Sequence, residues 1–100
     1  MPDYPPSVSH EAQLLTEVKR NRLVREKAFA RENWKRFDSL SRREKEILSL
    51  ICKGLSNASM AEKLDISVHT VRTHRNRIWR QLGINHLVEA IHYGQAFDLV

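Results

Sequence analysis

All three prolines of this 100-residue chain fall at positions 2, 5 and 6, and only the glycines at 54, 83 and 94 interrupt the remainder. Proline and glycine are the residues that most firmly break regular backbone. With so few of them, and with Leu, Ile, Ala, Arg, Lys and Glu abundant in between, the chain favours helices over a many-turned sheet. The expected fold class is all-α. A chain of this length makes one compact unit plus an extension, and not a second core.

The proline-bearing segment, residues 1–9, has no apolar periodicity and reads as a disordered or polyproline-like tail. From His10 onward no breaker occurs for the length of a long helix, and Ser9 stands where an N-cap belongs, so residues 10–38 are expected to form a helical extension. Its apolar side chains fall in two patches rotated against each other by more than a quarter turn: Leu14, Leu15 and Val18, then Leu23, Ala30, Trp34 and Phe37. Such drift fits a helix meeting two surfaces better than a heptad coiled coil. Trp34 and Phe37 are expected to pack on their own domain. Leu14, Leu15 and Val18 are left for another chain, while packing of the extension in cis or in trans stays open at this point.

Residues 39–100 carry a second architecture. Ser41-Arg42-Arg43-Glu44 has the form of a capping box, in which hydroxyl and carboxylate each satisfy a free amide at a helix start. Ile47, Leu48 and Ile51 then give an inward stripe, and Gly54 stands where a helix-ending glycine belongs. Ser56 can cap a second short helix bearing Met60, Ala61 and Leu64. Ser67 can cap a third that runs to about Leu82 and ends at Gly83, and His86 to about Phe97 reads as a fourth. Short helices joined by short loops suit a helix-turn-helix domain.

The formal charge of +5 and a pI near 9.8 suit an anionic partner, either nucleic acid or an acidic membrane surface. No apolar run approaches the roughly 20 residues of a membrane span, and the opening residues lack the regions of a signal peptide. Cys52 is the one cysteine, which rules out an intrachain disulfide or a cysteine zinc site and points to the cytoplasm. It is expected to serve as a small apolar residue. His69 and His74, and His86 and His92, lack the i,i+4 spacing of a helical metal site. With no glycine-rich phosphate loop and no nucleophile–base arrangement, neither an enzyme, a metal nor a cofactor is expected.

The third helix separates most cleanly into two faces. Val71, Ile78 and Leu82 share a narrow apolar stripe, while His69, Arg72, Thr73, Asn76, Arg77 and Arg80 occupy the other side, and no carboxylate occurs between Ser67 and Leu82. Uncompensated positive charge is costly in isolation and favourable against phosphates. Arg72 can donate twice to guanine, Asn76 can pair with adenine, and the Thr73 methyl can meet that of thymine.

The blocks Leu40-Ser41-Arg42-Arg43-Glu44-Lys45-Glu46-Ile47-Leu48, Gly54-Leu55-Ser56-Asn57, Ile66-Ser67-Val68-His69-Thr70-Val71-Arg72-Thr73-His74 and Ile78-Trp79-Arg80-Gln81-Leu82-Gly83-Ile84 resemble, in order, the C-terminal domain of LuxR/NarL/GerE-type transcription regulators. The resemblance covers about the last 60 residues. It implies a four-helix fold in which the second and third helices form the helix-turn-helix, the third enters the major groove of double-stranded DNA, and the fourth supports a homodimer. By position, Arg72, Thr73 and Asn76 take the base-reading places, and Thr70, Arg75, Arg77 and Arg80 the backbone-contacting ones; Arg75 lies near the buried stripe, so packing of its stem is an equal expectation. The chain departs from the family pattern in three places. Asn57-Ala58-Ser59-Met60-Ala61 lacks the usual charged pair, Asp65 stands for a glycine in the turn, and Leu87 replaces an arginine.

Two other readings stand beside a DNA-binding regulator. One is a module similar to sigma factor region four; the other is a protein-interaction adaptor for another regulator, favoured by Asp65 and by the absence of the charged pair, which includes a lysine, from Asn57-Ala58-Ser59-Met60-Ala61. RNA polymerase is a further expected partner. The dimer contacts are expected from Leu87 and Ile91 on the last helix, beside Ala90 and Gly94 as small residues for close approach, with burial of most of these four in the monomer core as the alternative, and from Leu14, Leu15 and Val18. The extension is too short for a receiver or ligand-sensing domain, so the chain reads either as a stand-alone regulator or as the end of a longer one.

Overall fold

Ser41, Ser56 and Ser67 fix the starts of three helices in the structure, a computed structural model that describes residues 10–100. Each serine is extended and its hydroxyl accepts the N–H three residues on, from Glu44, Ser59 and Thr70. The helices are α1 (His10–Asp38), α2 (Arg42–Cys52), α3 (Asn57–Leu64), α4 (Val68–Leu82) and α5 (Leu87–Ala96), with no strand among the described residues. The fold is all-α. The expected tail and its Ser9 cap lie outside the described residues.

Helix ends follow local chemistry as closely as starts. Gly83 ends α4 at φ 66, and Asp65 ends α3 at φ 54. The left-handed region costs a residue with a Cβ, and Asp is among those that tolerate it best, so the α3–α4 turn closes without the glycine. α5 starts differently: His86 makes no capping bond, and the Glu89 carboxylate accepts the Asn85 amide instead, at 3.0 Å.

The core gathers Ile47 and Leu48 from α2, Met60 from α3, and Val71, Ile78 and Leu82 from α4, all essentially inaccessible. Each such side chain contributes roughly 1.5–3 kcal/mol by leaving water. α4 lies at the centre, packed against α2, α3 and α1, and α2 also packs on α5. On α5 the expected close-approach residues are spent within the chain. Ala90 and Gly94 are buried, and a Cβ at Gly94 would stand 2.5 Å from Cys52 Sγ. They admit α2, and so offer nothing to a partner helix. Cys52 fills this contact, its thiol donating to the Ala90 carbonyl at 3.5 Å. Burial pushes the thiol pKa up, against a smaller lowering by the Gly94 amide.

α1 has no fully buried residue and extends the molecule to 60 × 27 × 21 Å. It docks by Phe29, Asn33, Arg36 and Phe37. Phe29 meets Tyr93 edge-on at 4.9 Å, and Phe37 stacks on Phe97 at 4.2 Å. Phe37 therefore packs as expected, but Trp34 is 51% exposed and Leu23 57%. The docked side chains recur at i, i+4, i+7 and i+8, a single helical face; Trp34 and Leu23 sit on another. No helix among the described residues is long and apolar enough to cross a membrane.

Candidate nucleic-acid interface

α3, the Asp65 turn and α4 form a helix-turn-helix, and its second helix presents the cationic side. With Val71, Ile78 and Leu82 buried, the helical period turns Arg72, Thr73, Asn76, Arg77 and Arg80 outward, and all five are exposed. The side chains of Arg72, Asn76 and Arg80 make no hydrogen bond or ion pair among the described residues. Their donors face solvent ready for another acceptor. The Thr73 hydroxyl donates to the His69 carbonyl at 3.1 Å, which commits its proton to the helix.

The remaining expected site residues divide. Thr70 is half-buried with its hydroxyl 2.8 Å from that of Ser67, so it belongs to the helix cap. Arg75 is also half-buried. Its Nη1 donates to Asn57 Oδ1 at 3.2 Å and its guanidinium lies 5.1 Å from the Trp79 ring centroid. Arg75 thus joins the start of α3 to α4, and the stem-packing reading describes it better than a free cation does. Leu87 is 48% exposed and Ile91 half-buried on α5, while Leu14, Leu15 and Val18 are exposed at the far end of α1. These last three lie well away from the cationic face of α4.

One contributor escaped the sequence reading. Glu44 completes the capping box, its Oε1 accepting the Ser41 amide at 3.0 Å, and is 3% exposed. Its other oxygen has no hydrogen bond; it lies 3.7 Å from Arg77 Nη1 and 3.9 Å from His74 Nδ1. A buried carboxylate oxygen left without a donor is costly, so the Glu44 carboxylate attracts the Arg77 guanidinium and ties α2 to α4. The capping signal was legible at Glu44, but nothing local showed that the same carboxylate reaches α4.

The C-terminal end of α4 is held as firmly. Arg36 Nη1 donates to the Leu82 carbonyl at 3.1 Å, and the Tyr93 hydroxyl lies 3.2 Å from Asn33 Oδ1 and 3.4 Å from the Leu82 carbonyl. A Cβ at residue 83 would collide with Arg36 Nη1, so Gly83 serves both the left-handed turn and the approach of Arg36. Burial raises the Tyr93 phenol pKa above its ordinary value, outweighing the lowering by Arg36. No cluster of metal-binding side chains occurs among the described residues.

Comparison with known proteins places the same segment in a family context. Residues 38–94 match the family model described as bacterial regulatory proteins, luxR family. Among curated proteins, the oxygen regulatory protein NreC of Staphylococcus aureus strain JH9 is 47% identical over 57 residues, which is 57% of this chain and 26% of that protein. NreC of strain USA300 matches to the same extent. The chain thus spans about a quarter of the length of these relatives.

Proposed function

Because the chain belongs to the luxR family of bacterial regulatory proteins, we propose that it regulates transcription by sequence-specific binding of duplex DNA, with α4 lying in the major groove. The observation that carries this reading is the outward set Arg72, Asn76 and Arg80, cationic or amide side chains with no partner among the described residues, on a helix whose opposite stripe is buried. Arg72 and Asn76 read base edges and the Thr73 methyl adds an apolar contact. Arg77 and Arg80 meet phosphates, with Thr70 and Arg75 supporting the helix from which they do so. α4 reads only a few base pairs, too little to define a genomic site. The functional unit is therefore a homodimer on two half-sites about one helical turn apart.

The chain is titrated against a pool of random duplexes at low and physiological salt. A defined motif is expected to be enriched, and affinity to fall steeply with salt as phosphate contacts release counterions. The adaptor reading has specific support in the exposed Asp65 carboxylate beside the turn and in Ala58 and Ser59 at the start of α3, which supply no cation. It predicts no enrichment and weak, sequence-independent binding.

A further inference from the structure

We propose that the first turns of α1 pair antiparallel with the same segment of a second copy, and that this pairing is transmitted to α4 through Arg36. The self-association stands apart from the DNA-binding reading; only the transmission to α4 rests on it.

At 3.6 residues per turn, Phe29, Asn33 and Arg36, which dock α1 on α5 and α4, fall on one arc of the helix. Glu11, Leu14, Leu15, Val18 and Arg22 fall on the same arc, about 100° wide. The patch at Leu14 is therefore the continuation of the docked face beyond the point where α5 covers it. There it is bare: Leu14 is 47% exposed, Leu15 63% and Val18 60%.

The bare half is self-complementary in one orientation. It carries an acid at one end, Glu11, and a base at the other, Arg22, with Leu14, Leu15 and Val18 between them and Lys19 and Asn21 at the margins. Two antiparallel copies set Glu11 against Arg22 of the partner subunit, twice by symmetry, and Leu15 against Val18 of the partner subunit. A parallel pair sets like charge on like. Arg22 is engaged in its own helix only through Nε, 3.0 Å from Glu26 Oε1, and its side chain is 60% exposed.

The apolar patch is small against the roughly 1,200 Å² that a stable interface buries, so the pairing is weak in free solution. Two copies held on one duplex meet at a local concentration near the millimolar range, where a weak contact is occupied. At its other end the same helix supplies one of the two donors on the Leu82 carbonyl, Arg36, beside the Tyr93 hydroxyl. Holding two α1 helices together thereby restrains the C-terminal ends of both α4 helices.

The test is sedimentation equilibrium of the full chain without DNA, from about 10 μM to about 1 mM. Glu11→Arg and Arg22→Glu are each expected to weaken association roughly three- to thirtyfold, and the two changes in one chain to restore it, with helicity unchanged throughout. A monomer at every concentration, a single reversal without effect, or a double reversal that fails to restore association overturns the pairing. So does Glu11→Gln strengthening it, the sign of a parallel pair. For transmission, Arg36→Ala is expected to keep self-association but to lower cooperativity on a two-half-site duplex, read relative to that variant's own single half-site affinity; unchanged cooperativity overturns it. A chain that binds single half-sites normally while failing to associate separates failure of the pairing from failure of the DNA reading.

Discussion

α1 and α4 are the two longest helices, and both are basic, yet they are built on opposite rules. α1 carries eight Lys or Arg against five Asp or Glu, and none of its residues is buried. α4 carries four Arg and no carboxylate, and one side of it presses into the core through Val71, Ile78 and Leu82. Interleaved charges on α1 satisfy one another, as Arg22 and Glu26 do, and leave little field. The α4 face has no relief from acids of its own helix, which is tolerable because its buried stripe fixes the helix whatever its surface prefers. Basic composition therefore does not mark a nucleic-acid face; basic composition without local acids, on a helix anchored elsewhere, does.

The contrast between the two helices is tested most severely by stability. Ile78→Ala is expected to cost roughly 2–5 kcal/mol in urea unfolding, and Leu15→Ala under about 0.5 kcal/mol at concentrations where the chain is monomeric. Comparable losses at the two sites would mean that α1 is anchored along its whole length. The next largest effect is on readout: Arg72→Ala and Asn76→Ala should each lose roughly 1–3 kcal/mol of discrimination at one base position, while Arg80→Ala weakens all sequences alike. In α1, Arg20→Ala and Arg25→Ala should leave sequence preference untouched. Uniform loss from all three α4 variants in a selection experiment would remove the assignment of its base-reading face.

Smaller effects sharpen how α4 is held. Ser41→Ala removes the cap beside Glu44 and is expected to lower stability by about 1 kcal/mol, seen as a reduced urea midpoint. The smallest concerns Tyr93. Its folded pKa is raised above the unfolded value of about 10, so the phenol contributes its full stabilisation below pH 10 and loses it as pH rises through the folded value. Unfolding midpoints between about pH 8 and 11 should fall more steeply in the wild-type chain than in Tyr93→Phe; parallel curves would contradict the buried, hydrogen-bonded phenol.

Comparison of the expected and observed elements shows where sequence information is local. Ser41, Ser56 and Ser67 act on amides three residues away, and Gly83 and Asp65 on their own φ. Those boundaries were legible because cause and effect lie within one turn. The outward set on α4 was equally legible, since Val71, Ile78 and Leu82 fix the helix rotation. On α1 Trp34 is exposed where its own domain was the expected partner, because two apolar stripes compete along the helix and periodicity does not rank them. Phe29 was the missing signal: with Asn33, Arg36 and Phe37 it completes a face.

The sequence by itself thus determined an all-α chain, its helix starts, and the cationic face of α4, all consequences of hydrogen bonds and periodicities that span a few residues. Tertiary structure alone decided which stripe of α1 would dock, that Arg75 would turn to Asn57 and Trp79 rather than solvent, and that Glu44 would reach Arg77. It also set Arg36 on the Leu82 carbonyl, across 46 residues of chain. Each of these depends on how far apart two elements stop, a distance fixed by the volume of the side chains packed between them, and no pattern along one helix carries that volume.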